Sequence, residues 1–285
     1  MHFQLTEEQR ALRDGTRELL AGRFGRDALR AAVDAPRLDR ALWRELGSAG
    51  LFALCLPEAA GGVGLGLPEA VVVFEEVGRA LVPGPLVATF LAAGEVPGAA
   101  SGEAVVTAPY GGLLPWRDAA DVVRGDAAGA EPLASVDPLT PLYRLPGAGP
   151  TPWRATLLYA AEQLGSAGRT LEMAVQHARD REQFGQPVGG FQAVKHLCAE
   201  MLVRVEVARA AVYAAAVTRD PVEVAAAELL ADEAAVQGAR DCLQVHGGMG
   251  FTWEADVHLH LKRAWVRAEL GGSARDAEET LAASL

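Results

Sequence analysis

The most constraining feature is a set of small and apolar residues that recur at alternating four- and three-residue steps through the second half of the chain. Leu157, Ala161, Leu164, Gly168, Leu171, Val175 and Ala178 follow this rule and so fall on one face of a helix. The helix starts near Trp153 and runs for about 27 residues, or ~40 Å. A second helix over Phe191 to Thr218 carries Val194, Leu197, Met201, Val205, Ala208 and Val212 as its stripe. Asp220-Pro221 breaks it, and an alanine-rich third helix spans Val222 to Val245, stopped by His246-Gly247-Gly248-Met249-Gly250. A fourth runs from Glu254 to about Leu270 and closes at Gly271-Gly272. Long helices with short connections pack as a four-helix bundle, expected over residues 151–285. Their alanine faces allow close approach and leave flat surface for another subunit.

The first hundred residues also read as helical. Thr6-Glu7-Glu8-Gln9 is a capping box, in which side chains satisfy donors left free at a helix start. Leu12, Leu19, Leu20 and Phe24 give that helix an apolar side, and Leu38, Leu42, Trp43 and Leu46 mark another that stops near Gly47 and Gly50. The glycine-rich Leu56–Gly66 segment matches neither the dinucleotide fingerprint nor the phosphate loop and reads as an interhelical loop. Pro68 opens the next helix, with Val71, Phe74, Val77 and Leu81 on one side, ending at Val82-Pro83-Gly84-Pro85. Between residues 101 and 150, Ala104–Thr107, Asp121–Val123, Leu133–Val136 and Leu142–Leu145 alternate with turn residues and predict a small antiparallel β segment. The chain thus reads as mainly α: a helical domain over 1–100, a shortened β domain over 101–150, and the bundle.

A net charge of −11 excludes a protein that binds nucleic acid by neutralising phosphates. No apolar run approaches the ~20 residues of a membrane span. Met1-His2-Phe3-Gln4-Leu5 lacks a basic region followed by an apolar one, so no secretory signal is expected. Three scattered cysteines fit a reducing compartment, and a cytoplasmic location is the expectation.

The chemistry-bearing stretch joins the first two bundle helices: Arg181-Glu182-Gln183-Phe184-Gly185-Gln186-Pro187-Val188-Gly189-Gly190-Phe191-Gln192. Its Gly and Pro residues break helices, and interleaved among them are an Arg, Gln side chains and two Phe. A guanidinium fork for phosphate and aromatic faces for a ring system suit a planar anionic cofactor. From these residues alone it reads equally as an ordinary helix–helix loop whose Arg caps a helix. No metal site is expected, because the Glu-x-x-His pairs of di-iron bundles are absent and His258 and His260 stand two apart on a helix. His196 and His246 read as hydrogen-bonded structural residues. No Gly-x-Ser-x-Gly element marks a hydrolase.

The order of helical, β and bundle segments resembles the acyl-CoA dehydrogenases. So do Pro57-Glu58, Gly61-Gly62-Val63-Gly64 and Glu75-Glu76-Val77-Gly78-Arg79, the arginine stretch above, and Gln244-Val245-His246-Gly247-Gly248-Met249-Gly250-Phe251-Thr252-Trp253-Glu254. The Phe191–His196 and Gly250–Glu254 variants look most like the actinobacterial branch acting in sterol or specialised metabolism. The resemblance implies FAD as cofactor and α,β-dehydrogenation of an acyl thioester, carried by CoA or a carrier protein. It implies that Arg181 contacts the flavin pyrophosphate across a subunit boundary, with Gln183 and Phe184 beside it. Phe191 and Gln192 match further flavin-contacting positions, and Gln244, Gly247 and Gly248 approach the same cofactor from a neighbouring helix end.

The sequence departs from the family at the catalytic base, which must be a carboxylate with a pKa raised by burial. The usual place falls at Gly271, and the place used by a minority of members falls at Ala155; neither is acidic. The β domain is about half the usual length, and the flavin-contacting Thr-Glu-Pro is reduced to Thr107-Ala108-Pro109. Glu162, Glu254 and Glu269 are the carboxylates considered as substitutes. Three readings follow: a subunit whose partner, another dehydrogenase-like chain, supplies the base; a self-sufficient homo-oligomer with a displaced carboxylate; or a non-catalytic structural or binding subunit.

Overall fold

A computed structural model of the chain describes residues 4–284; the reading of Met1, His2 and Phe3 as lacking a secretory signal lies outside them. Helix α1 (Glu7–Arg23) begins at the expected capping box, Thr6 Oγ1 accepting from Gln9 N–H at 3.2 Å and Gln9 Oε1 accepting from Thr6 N–H at 3.0 Å. It docks on α4 (Leu67–Ala80) through a fork in which the Arg17 guanidinium donates to both Glu76 oxygens, at 2.8 and 2.6 Å. Helix α3 (Arg40–Ser48) carries Leu42, Trp43 and Leu46 into the core and is capped by Asp39. Two further helices were not expected: α2 (Arg26–Asp34) and α5 (Leu86–Ala92). Helix α5 is apolar on every side and buried, so it lacks the periodicity that would mark it.

The middle segment differs in pairing from the antiparallel expectation. Strands β1 (Val106–Thr107) and β3 (Val122–Val123) pair in parallel, while β2 (Leu113–Pro115), β5 (Leu142–Arg144) and β4 (Glu131–Leu133) form an antiparallel sheet in that order. The parallel pair arises because β2 leaves for the other sheet and the chain returns over a 3-10 turn at Arg117–Ala119. Leu133–Val136 is strand only at Leu133.

Helices α6 (Trp153–Asp180), α7 (Gln192–Thr218), α8 (Pro221–His246) and α9 (Val257–Gly271) form the bundle. The fourth helix begins three residues later than expected, since Gly247–Phe251 takes a 3-10 turn first. A further helix, α10 (Ala274–Ala283), follows the two glycines, capped by Ser273, and lies on α8.

Two glycines set how the helical domain meets the bundle. A Cβ on Gly165 of α6 would stand 1.8 Å from the Glu75 carbonyl oxygen, and one on Gly78 of α4 would stand 2.0 Å from that of Glu162. The two backbones are in direct contact, which only residues without a side chain permit. Arg263 of α9 then ties three segments. Its buried guanidinium donates to Asp137 Oδ2 at 2.5 Å, between β4 and β5, and to the Val82 carbonyl at 3.2 Å beyond α4.

Candidate functional site

The Arg181–Gln192 stretch folds as an arm, not an irregular loop. Strands β6 (Glu182–Gln183) and β7 (Gln186–Pro187) pair antiparallel, and Val188 N–H donates to the Arg181 carbonyl at 2.7 Å to close the base. Phe184 (φ 54°) and Gly185 (φ 78°) make the turn; two left-handed residues give the twist a two-residue hairpin needs. Glycine accepts that conformation freely, but Phe184 is strained by roughly 1 kcal/mol. The strained side chain is nevertheless 89 % exposed, with Phe191 edge-on at 6.0 Å between ring centroids. Gly189 lets the arm fold back on α6, since a Cβ there would lie 2.8 Å from the Ala178 carbonyl oxygen.

The second half of the expected site is brought to the same end of the bundle. His177, four residues before Arg181, stacks on His246 with centroids 4.1 Å apart. His246 precedes Gly247 directly and follows Gln244 by two, so the stack joins the C-termini of α6 and α8. His246 Nδ1 lies 2.8 Å from the Cys242 carbonyl and donates to it, the structural role expected of it. Burial, then His246 and Arg181, lower the His177 pKa. A cleft of about 570 Å³ runs beside the stack, lined by Arg169, Met173, Gln176 and Arg179. His196, by contrast, is exposed and makes no hydrogen bond among the described residues.

These residues fit a group from outside the chain. Arg181, Gln183, Gln192 and Gln244 are exposed, and their side chains make no hydrogen bond or ion pair among the described residues. Gly247 holds a backbone conformation (φ 59°, ψ −141°) that suits glycine. A Cβ on Gly247 or Gly248 would meet nothing among the described residues within 4 Å, so the open backbone there serves no packing among them. Free donors, open backbone and exposed aromatic faces match the phosphates and ring systems of FAD. Thr107, however, is fully buried and spends its hydroxyl on the Pro115 carbonyl at 2.5 Å.

None of the three substitute carboxylates is a free buried base. Glu162 is buried in an ion pair with Arg267, which also lies over the Tyr159 ring at 5.3 Å. Glu254 is exposed, and hydrogen bonds from its own N–H and from Thr252 lower its pKa, opposite to what a base needs. Glu269 is exposed at the end of α9. His260 is a core residue within hydrogen-bond distance (2.8 Å) of Ser166 Oγ, its pKa pushed down by burial to about 3.

Two carboxylates without a cation partner, which sequence reasoning passed over, lie on α8. Glu228 is 4 % exposed, and burial, then Asp232 and Asp276, raise its pKa to about 9. Asp232, one turn along, accepts from Gln163 Nε2 at 2.8 Å, and burial raises its pKa to about 7. The signal was present: Glu228 falls in step with Val224, Ala231 and Ala235 on the buried stripe.

Comparison with known proteins settles the family. The sequence model "Acyl-CoA dehydrogenase, N-terminal domain" matches residues 6–99, and "Acyl-CoA dehydrogenase, C-terminal domain" matches residues 154–285. The chain belongs to the acyl-CoA dehydrogenase family. These are FAD-dependent oxidoreductases. The chain is 38 % identical to acyl-CoA dehydrogenase IpdE2 of Mycobacterium tuberculosis, over 95 % of each chain. Among solved structures it is similar to the ChsE4-ChsE5 complex from Mycobacterium tuberculosis (TM-score 0.82, 26 % identity, 100 % of this chain and 98 % of that one). It is similar also to the Tcur3481-Tcur3483 steroid ACAD G363A variant (TM-score 0.81, 26 % identity, 97 % of each chain). Among the described residues of this acyl-CoA dehydrogenase, no helix is long and apolar enough to cross a membrane.

Proposed function

We propose that this chain is one subunit of a hetero-oligomeric FAD-dependent dehydrogenase that introduces an α,β double bond into an acyl thioester, and that a second dehydrogenase-like subunit supplies the base. The observation that carries this reading is a division within one chain. The Arg181 arm is intact and faces outward with its donors uncommitted, while positions 155 and 271 hold Ala and Gly. An arm with no internal partner is what a contact across a subunit boundary requires. Leu202, Val203 and Val207 on α7 are about half exposed and add apolar surface for such a boundary. The likeness to two heteromeric dehydrogenase complexes supports the same reading, and the steroid dehydrogenase among them favours a steroid-derived acyl group.

In this reading Arg181 binds the cofactor's pyrophosphate as a charge-assisted fork. Gln183, Gln192 and Gln244 donate around it, Phe184 and Phe191 cover apolar ring surface, and Gly247 and Gly248 allow close approach of backbone N–H groups. FAD, when bound there, would supply the hydride acceptor for the β-hydrogen. The α-proton leaves to a carboxylate that these residues do not contain.

The test is a flavin spectrum and an acyl-thioester oxidation assay on the purified chain, alone and co-expressed with a second dehydrogenase-like subunit. Stoichiometric flavin and turnover are expected only for the pair. Full flavin and turnover from the single chain would refute the partner requirement, and a colourless pair would make this a structural subunit instead.

A further inference from the structure

The hydrogen bonds that hold the end of α9 stop just short of α10. Thr151, ahead of α6, and Thr156 within it donate to the carbonyls of Leu270 and Gly271, at 3.0 and 2.6 Å. Gly272 follows with φ 138°, a conformation that glycine alone takes readily. Beyond it, no hydrogen bond or ion pair joins α10 to another element among the described residues. Ser273 caps the helix from within, and Arg275 pairs with Glu279 of the same helix at 2.9 Å. Of its side chains only Ala277 is buried, with Leu281 half-buried. Helix α10 is thus a self-contained unit, hinged at Gly272 and held on α8 by little apolar surface.

Beneath the hinge end lies Glu228 of α8. It is 4 % exposed, and its two oxygens would stand 3.1 and 3.3 Å from a Cβ on Gly272. Its Oε1 finds no donor among the described residues. The charged groups that act on it, Asp232 of α8 and Asp276 of α10, are both acidic, and Glu269 of α9 acts in turn on Asp232. Tyr159 of α6 stands across Gly271, and Arg267, the cation over its ring, is paired with Glu162. An ionised Glu228 would therefore have neither donor nor cation under α10 and would face the Asp276 charge, whereas a protonated one meets no such conflict. Burial, then the two acids, accordingly raise its pKa to about 9.

We propose that α10 is a proton-gated lid, which stays on α8 while Glu228 holds its proton and swings away about Gly272 when that carboxyl ionises. Lifting α10 lets water reach the carboxyl and returns it to its ordinary range, so docking takes up a proton. The ratio of docked to lifted lid then falls about tenfold per pH unit between the two pKa values.

The test is amide hydrogen exchange on the full chain at pH 6, 7 and 8, corrected for the intrinsic rate at each pH. A lifted helix of 10 residues is marginal in water, so its amides exchange when the lid opens. Protection of the α10 amides is expected to fall about tenfold per pH unit, while the middle of α8 keeps its own. Glu228→Gln, neutral at every pH, should keep α10 equally protected at all three; Glu228→Met serves the same comparison if E228Q does not fold. Protection of α10 that is the same at pH 6 and pH 8, whether high or low, overturns the lid. So does a fall that only follows α8, or one that persists in the neutral variant. Neither flavin nor a partner subunit enters the measurement, so its failure leaves the proposed function standing.

Discussion

Arg181 is the residue on which the flavin reading turns. Its guanidinium has no internal partner among the described residues, so its removal is expected to change little in the fold and, under the proposed reading, to weaken flavin binding. Arg181→Ala should cut flavin retained by the purified assembly about tenfold or more, as loss of a charge-assisted hydrogen bond implies. Arg181→Lys should restore part, because lysine keeps the charge but not the fork. Flavin content unchanged in R181A, measured by absorbance per subunit after gel filtration, would count against the role. Glu228 offers a second residue-scale prediction. The folded-state pKa values of Glu228 and Asp232 are raised, to about 9 and about 7. The stability they contribute is therefore fully present below their ordinary values near pH 4 and gone once the pH rises past 9 and 7 respectively. Glu228→Gln should flatten the decline in stability between pH 6 and 9, by about 1–2 kcal/mol at the alkaline end; a pH–Tm curve parallel to that of the natural chain would refute it. Both residues were visible in the sequence, but unequally. Arg181 stands among helix breakers and aromatics, which announce a special segment. Glu228 sits among alanines, and only its place on the buried stripe of α8 marks it.

At the scale of elements, the α4–α6 crossing is the joint most sensitive to a single methyl group. Gly165→Ala or Gly78→Ala drives a carbon into a carbonyl on the facing helix, and each should cost about 3 kcal/mol or more, or prevent folding. Gly168→Ala on the same helix is the control, because its nearest neighbour is the end of the Arg209 side chain at 3.8 Å; it should be neutral or slightly stabilising. Chemical unfolding of the three variants separates the outcomes, and equal losses would remove the special place given to the crossing. Arg263→Ala leaves Asp137 buried without its cation and should cost about 3–5 kcal/mol, read in the same experiment. The long helices were legible because a stripe repeated over many turns outweighs local noise. The missed elements fail for separate reasons. Helix α5 has no polar face, α10 follows two glycines that look like an ending, and the parallel β1–β3 pair depends on a non-neighbouring strand that turn signals do not specify.

For the whole molecule, the sequence carried the order of segments and the end of the bundle where the arm stands, yet not what lies opposite it. That absence is physical: a boundary between subunits is encoded in two chains. Co-expression with a second dehydrogenase-like chain should give a stable complex larger than the sum of one copy each, seen by light scattering with flavin absorbance. Elution of the two chains as separate species would refute the pairing. The exposed Phe184 at 89 %, with Phe251 at 76 % and Val203 at 62 %, bears on the chain's fate in the cell as well. If a second subunit covers them in the proposed assembly, a copy made in excess of that partner would display apolar side chains of the kind that chaperones hold and proteases clear. The amount of this protein in a cell should then follow the supply of its partner and not the strength of its own gene.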